Sequence, residues 1–170
     1  FKEPTGRLIS AAYTVAPDGS DLRCIIPYEW NNSHYDWRNA TQIMSTTRYQ
    51  AGDKWLHVLL TDGKDDHRVI APDLLASDGH GHFSPDGVWM VSDSYPRGAE
   101  RMQSFYLVHV DTDRGYEAAQ FHQPREFKGP WRCDQHPRWN RDGTQVCFDS
   151  LHEGERQLYV IDISDIVEFS

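Results

Sequence analysis

The chain has 170 residues, of which 38% are hydrophobic and 12% aromatic, and its 17 Lys+Arg against 26 Asp+Glu give a net charge of −9. This length and aromatic content allow a packed core and exclude a disordered chain or a small domain held together by disulfides. The acidic balance argues against nucleic-acid binding, which depends on a basic face. No apolar run approaches the ~18 residues of a membrane-spanning helix, so no membrane span is expected.

The chain begins at Phe1, with no Met and no signal-like segment, so we expect an N-terminal part to precede it. Its three cysteines are odd in number and lack C-x-x-C spacing, which predicts neither a disulfide framework nor a zinc knuckle. The composition leaves the compartment open between a bacterial cytoplasm and a periplasm.

Short apolar and β-branched runs separated by turn residues predict strands along the whole chain. In chain order the predicted strands are Leu8–Val15, Gln42–Thr47, Trp55–Leu60, Val88–Ser92, Phe105–Val110, Gln145–Asp149 and Gln157–Ile163. Asp-Gly turns recur between them, and Asp-Gly between two apolar runs is a strong hairpin signal. Only Ile163–Phe169 fits a short helix, and it fits a closing strand equally well. The sequence therefore predicts an all-β fold.

An internal repeat groups these strands. The pattern D-x-H-x-x-[FW]-x-x-D-G occurs at Asp78–Gly87 and at Asp134–Gly143, and a weaker copy begins at Asn32. Each copy with its following strands forms a unit of four strands in about 45–55 residues, the length of a β-propeller blade. We predict four-stranded antiparallel blades at residues 31–76, 77–131 and 132–170, and the outer half of a blade at residues 1–30. These make about three and a half blades, which favours part of a larger propeller over a small closed ring or one half of an assembly.

Each copy of the repeat places a histidine at the start of its blade: His34, His80 and His136. The first strand of a blade lies innermost, so these side chains are expected at the mouth of the central channel. Strand alternation puts the residues two positions later on the same face: Asp36, His82 and Arg138. One interpretation is that these histidines do no more than form hydrogen bonds between strands. The doublet His80-Gly81-His82 favours the other interpretation, half of a metal site.

The turn units resemble the TolB-type, WD-like propeller repeat at Tyr13–Arg23, Phe83–Gly87 and Trp139–Gly143. The histidine-led blade starts resemble the later blades of the oligogalacturonate lyase family at Ser33–Trp37, Gly79–Ser84 and Asp134–Trp139. This resemblance implies a seven-bladed propeller, of which the chain is the C-terminal half. It also implies cleavage of short pectic uronates by β-elimination, with a divalent metal ion at the channel mouth.

The resemblance implies roles for individual residues. One family metal histidine falls on His80, and the family run Gln-x-x-His-x-His-Pro falls on Trp131, Asp134 and His136-Pro137. Asp134 therefore replaces one histidine by another competent ligand, whereas Trp131 replaces a glutamine that it cannot mimic. We predict a divalent metal ion, Mn, Zn or similar, held by His80, Asp134 and His136.

The predicted catalytic residues are His34, His82 and Arg138. His34 corresponds to an active-site histidine of the family and is the best base present, while the family's arginine base has no secure counterpart. Arg138, or alternatively Arg48, is expected to bind the substrate carboxylate. His82 is expected as an added ligand or catalytic group.

Two functions remain open from the sequence. One is a metal-dependent lyase acting on an acidic oligosaccharide, whose charge the chain's own −9 opposes at long range. The other is a non-catalytic TolB-like propeller that serves as a protein- or carbohydrate-binding scaffold. A propeller attached to a separate hydrolase domain is a third, less favoured reading.

Overall fold

The computed structural model describes residues 9–167. The chain divides into two compact units, residues 1–78 and residues 79–170, which are described one at a time. Regular structure is almost entirely β and forms four antiparallel sheets of two to four strands. One short helix, α1 (Ser164–Val167), follows the last strand, so the ambiguous segment at 163–169 is helical as far as residue 167. The predicted all-β fold is confirmed.

The first unit contains two sheets of consecutive strands. The smaller sheet pairs β1 (Ala12–Thr14) with β2 (Arg23–Ile26). The larger sheet is a meander of β3 (Asn32–Trp37), β4 (Gln42–Thr47), β5 (Leu56–Thr61) and β6 (His67–Val69). Ile26 of the smaller sheet and three residues of the larger sheet, Ile43, Val58 and Leu60, form one buried hydrophobic cluster of this unit.

The second unit contains a four-stranded and a three-stranded sheet. The four-stranded meander consists of β7 (His82–Phe83), β8 (Trp89–Asp93), β9 (Met102–His109) and β10 (Gly115–His122). The three-stranded sheet of the described residues consists of β11 (Arg138–Trp139), β12 (Gln145–Ser150) and β13 (Gln157–Asp162). Short turns connect neighbouring strands, as expected for antiparallel sheets.

Strand alternation builds the core of the second unit. Residues two apart on a strand share a face, and the buried side chains come in such pairs: Trp89 and Val91, Phe105 and Leu107, Val146 and Phe148. Ile163, just before α1, completes this cluster. The apolar runs found in the sequence thus supply the core between the two sheets of this unit.

The repeated Asp-Gly turn forms in both copies with the same chemistry. In the first copy, the backbone N–H of Val88 and the hydroxyl of Ser84 both donate to the Asp86 carboxylate, at 3.0 and 2.6 Å. In the second, Asn140 replaces the Ser-Asp pair and its Oδ1 accepts from the backbone N–H of Thr144 at 2.9 Å. The turn glycine has a φ of 71° in each copy, a left-handed conformation that glycine adopts at little cost.

Each of the seven predicted strands corresponds to an observed strand apart from its ends, whereas the predicted list lacked β2, β3, β6, β7, β10 and β11. The first begins at Ala12, and its predicted start, Leu8, lies outside the described residues. The blade boundaries at residues 31, 77 and 132 stay a prediction. All three cysteines are free thiols. In the described part of the chain, no helix is long and apolar enough to cross a membrane.

Candidate metal centre

Three side chains of the second unit converge on one point: His80, Asp134 and His136. Each offers one ligand atom, and these atoms lie within 4.8 Å of one another. His80 lies two residues before β7, and Asp134 and His136 lie just before β11. The cluster therefore forms where the chain enters the first strands of the two sheets of this unit.

Asp93 holds His80 in place from behind. The imidazole Nδ1 lies 2.9 Å from both carboxylate oxygens of Asp93, and the backbone N–H of His80 donates to Oδ1 at 2.7 Å. Because an ionised carboxylate only accepts hydrogen bonds, it favours the tautomer with the proton on Nδ1. Nε2 then carries the lone pair that a metal ion needs, an arrangement common among metal-binding histidines.

Asp93 also joins the two entry segments of the site. It ends β8, its side chain is 2% exposed, and its Oδ2 accepts from the backbone N–H of His136 at 3.2 Å. Burial by itself raises the pKa of a carboxyl group, but the hydrogen bonds and charge interaction with His80, with the backbone bond from His136, lower the pKa of Asp93. The carboxylate is therefore ionised at neutral pH.

His136 is the exposed member of the cluster. Its ring centroid lies 4.1 Å from that of His80, and its backbone has a φ of 43°. Burial and the neighbouring His80 lower the pKa of His136, and the carboxylates of Asp93 and Asp134 oppose this shift only in part. A lowered pKa favours the neutral imidazole, the form that binds metal ions.

Gly79 is required by the close approach of Asp93. A Cβ at residue 79 would lie 2.1 Å from the backbone oxygen of Asp93 and 3.2 Å from the hydroxyl of Ser92. We expect Gly79→Ala to lower the free energy of unfolding by about 3 kcal/mol, because a backbone atom must move to admit the methyl group. Denaturant unfolding of the full chain measures this loss.

Gly98→Ala is the matched control, because a Cβ at Gly98 would have no neighbour within 4 Å although its φ is +67°. That variant is expected to lose only about 1 kcal/mol, the cost of a left-handed alanine. Equal losses in the two variants would contradict the close approach at Gly79.

Asp134 forms a bidentate ion pair with Arg132. The guanidinium donates from Nε to Oδ1 and from Nη2 to Oδ2, both at 2.6 Å. The guanidinium carbon lies 4.6 Å from the ring centroid of Tyr95, whose ring in turn contacts that of His80 edge-on at 5.8 Å. The sequence reasoning assigned no role to Arg132 or Tyr95.

Of the other residues predicted for the site, His82 is not one of these three ligands, and the charge of Arg138 is among the causes that lower the pKa of His136. The backbone N–H of Trp139 donates to His82 Nδ1 at 3.4 Å, and the indole N–H donates to the His82 carbonyl at 3.0 Å. Arg138 is exposed and donates to the neighbouring Pro137 carbonyl. β7 begins at His82, so His80 precedes the strand, and a shared face of His80 and His82 stays a prediction. Catalytic roles for His82 and Arg138 remain predictions.

His34 belongs to the first unit and lies in an irregular part of β3. The pairing of β3 with β4 shifts register between Asn32 and Tyr35, which flank this histidine. Its Nε2 lies 3.8 Å from Oδ1 of Asp78, whose Oδ2 accepts from the Ser33 hydroxyl at 3.1 Å. The structure thus pairs His34 with a carboxylate, and its role as a base remains a prediction.

The donor set of the cluster suits a divalent transition-metal ion. Two imidazoles and one carboxylate are ligands that Zn, Mn, Fe and Ni accept. Donor atoms bound to one ion at about 2.0–2.2 Å lie roughly 3–4 Å apart, so a small closure of the observed cluster would hold it. The carboxylate that orients His80 completes the support such sites need.

Asp93, which supports His80 and His136, was not among the residues predicted for the site. Its signal was present, because the apolar strand after each copy of the repeat ends in an Asp next to a Ser, at Ser92-Asp93 and at Asp149-Ser150. The two aspartates differ in their surroundings: Asp93 is buried against His80, whereas Asp149 pairs with the exposed Arg156. Only the packing distinguishes these two positions.

No protein-family model matches the chain, and no curated protein matches it in sequence. Solved structures do match. TolB from Acinetobacter baumannii superposes with a TM-score of 0.67 at 17% identity, over 91% of this chain and 35% of that one. A putative TolB from Agrobacterium tumefaciens superposes with a TM-score of 0.65 at 15% identity, over 97% of this chain and 57% of that one.

An oligogalacturonate lyase from Vibrio parahaemolyticus gives a TM-score of 0.67 at 18% identity, over 88% of this chain and 41% of that one. The chain has the TolB-like β-propeller fold. At these identities the likeness concerns the fold alone. This propeller chain spans between about a third and somewhat over half of the length of the three proteins.

Proposed function

We propose that this propeller chain belongs to a metal-dependent lyase that cleaves acidic oligosaccharides by β-elimination. The observation that carries the proposal is the convergence of His80, Asp134 and His136, with Asp93 orienting His80. The fold shared with an oligogalacturonate lyase supports the reaction class. The divalent cation and the acidic sugar are both part of the proposal.

β-Elimination from a uronate removes the proton next to the carboxylate and expels the oxygen on the neighbouring carbon. A divalent cation in the site would supply positive charge for the substrate carboxylate and for the charge that develops when the proton leaves. The protein's contribution is to present its ligands ready for use: His80 as the tautomer set by Asp93, and His136 as a neutral ring. This preorganisation avoids rearranging the ligands during the reaction.

The proton itself needs a base, and His34 is the candidate. Its ring would accept the proton, and the nearby Asp78 carboxylate, 3.8 Å from Nε2, would stabilise the resulting positive charge. The leaving oxygen needs an acid, and His82, expected from the sequence as an added ligand or a catalytic group, is the residue proposed for this role. Both assignments belong to the proposal and are tested together with the reaction.

The test measures metal and reaction in the same protein. We expect the purified chain to retain about one equivalent of a divalent transition metal in elemental analysis. With oligogalacturonates, the ultraviolet absorbance of the new conjugated double bond is expected to rise, and a chelator should stop the rise until metal is returned. A metal-free protein that binds no added divalent cation would contradict the proposal.

A scaffold function is the second candidate, favoured by a different observation. Asp93 accepts the backbone N–H groups of both His80 and His136, so this carboxylate ties two loops together whether or not metal is bound. Two of the three structural neighbours are TolB proteins. If this function is the correct one, chelation will change neither stability nor activity, and oligogalacturonates will remain uncleaved.

A further inference from the structure

The carboxylate of Asp134 belongs both to an ion pair and to the candidate ligand set. Both of its oxygens accept hydrogen bonds from Arg132 at 2.6 Å, while one of them lies within 4.8 Å of the donor atoms of His80 and His136. The Asp134 side chain is 14% exposed, whereas its partner Arg132 is 44% exposed. A cation that binds Asp134 would approach a carboxylate that already holds a guanidinium on both oxygens, and the two positive charges would repel each other.

Arg132 is also held from a second side. Its guanidinium packs on the ring of Tyr95 at 4.6 Å from the centroid, and the same ring contacts His80 edge-on at 5.8 Å. A cation–π contact of this kind keeps the guanidinium near the ring without using its N–H donors. At 44% exposure, the Arg132 side chain is open to a ligand arriving from solvent.

We propose that Arg132 is an anion-binding side chain that exchanges Asp134 for a carboxylate of the ligand when a divalent cation takes Asp134. The cation and the carboxylate ligand would then bind cooperatively. The cation draws Asp134 away from Arg132, and the carboxylate ligand draws Arg132 away from Asp134. The proposal rests on the proposed cation site and adds to it a recognition element for the acidic group of the substrate.

The chemistry of the pair defines the ligand class. A guanidinium that already binds one carboxylate through two parallel N–H···O bonds presents the geometry for another, whereas a neutral hydroxyl group cannot replace both bonds. The net charge of −9 opposes an acidic sugar at long range, and the Arg132 guanidinium supplies positive charge at this surface. A uronate therefore fits Arg132, and the corresponding neutral sugar does not.

The first experiment measures Mn²⁺ and Zn²⁺ affinity of the full chain by calorimetry, with and without saturating galacturonate. We expect galacturonate to tighten cation binding about fivefold or more, and galactose to have no effect. In Arg132→Gln, cation binding without galacturonate should tighten about three- to tenfold, because the competitor is gone, and the galacturonate effect should disappear. Arg141→Gln, an exposed arginine of the β11–β12 turn, removes the same charge and should behave as the native chain.

The second experiment uses metal-free protein and separates this proposal from the proposed function. Asp134→Asn releases Arg132 from its partner, so galacturonate is expected to bind this variant about fivefold more tightly than the native chain. The gain should vanish in the double variant with Arg132→Gln. A native chain that binds no divalent cation would defeat the proposed function, while this measurement would still decide the role of Arg132. Arg132→Gln retaining the galacturonate effect, or Asp134→Asn binding galacturonate no better than the native chain, would overturn the proposal.

Discussion

Replacing Asp93 by Ala is expected to lower the free energy of unfolding by about 3–5 kcal/mol. Three donors would lose this acceptor at a position that is 2% exposed: the backbone N–H groups of His80 and His136, and the imidazole Nδ1–H. Each lost bond to a buried group costs about 1–3 kcal/mol. Denaturant unfolding measures the loss, and Asp142→Ala, an exposed turn aspartate, should change stability by less than about 0.5 kcal/mol.

The contribution of Asp93 to the free energy of unfolding is also expected to fall as the pH is lowered. Because the folded-state pKa of Asp93 lies below its ordinary value, its stabilising effect is fully present above the unfolded pKa of about 3.9. It is lost as the pH falls from there through the lowered folded pKa. Unfolding curves of the native chain and of Asp93→Asn should therefore converge below about pH 4, and curves that stay parallel would show that Asp93 is not stabilised as a carboxylate.

Metal affinity tests whether Asp93 also supports the candidate metal site. The substitution Asp93→Asn keeps the volume and an acceptor oxygen but removes the charge that sets the tautomer of His80. Loss of such a supporting partner typically weakens metal binding about 10–100-fold. If the affinity of Asp93→Asn for Zn²⁺ equals that of the native chain, Asp93 supports the fold but not the metal site.

Replacing His136 by Asn is expected to weaken divalent-cation binding by about 100-fold or more, because it removes a ligand itself and not merely its support. Asparagine suits the test, since residue 136 has a φ of 43° and asparagine tolerates this left-handed backbone. His136 is exposed, so unfolding should change by less than about 1 kcal/mol. Calorimetric titration with Zn²⁺ or Mn²⁺ measures the affinity.

The matched control is His122→Asn, on β10 of the same unit. His122 is exposed like His136 but lies outside the cluster. This variant should bind the cation as the native chain does, because it leaves all three donors unchanged. Equal weakening in the two variants would mean that the cation binds elsewhere on the chain, and no weakening in His136→Asn would remove this residue from the ligand set.

The sequence repeat predicted two of the three residues of the candidate metal site. The histidines at the blade starts were found because the Asp-Gly turn lies at a fixed distance after them, and two of the three, His80 and His136, come together in the second unit. Asp134 was assigned through the family resemblance. The recurring Asp after each copy marked position 93, but no spacing showed that its carboxylate meets His80 and His136, and Arg132 carries no repeat signal. Asp93 is 43 residues from His136, yet a hydrogen bond joins them.

The sequence by itself determined the strands, the turns and their repetition. These follow from local chemistry: period-2 burial along a strand, and the left-handed φ that Gly87 and Gly143 supply. Only the tertiary structure decided which side chains act together. It brought His80, Asp134 and His136 together, and it buried Asp93 against two backbone segments that lie far apart in the sequence. Such choices depend on packing between strands, which no local pattern encodes.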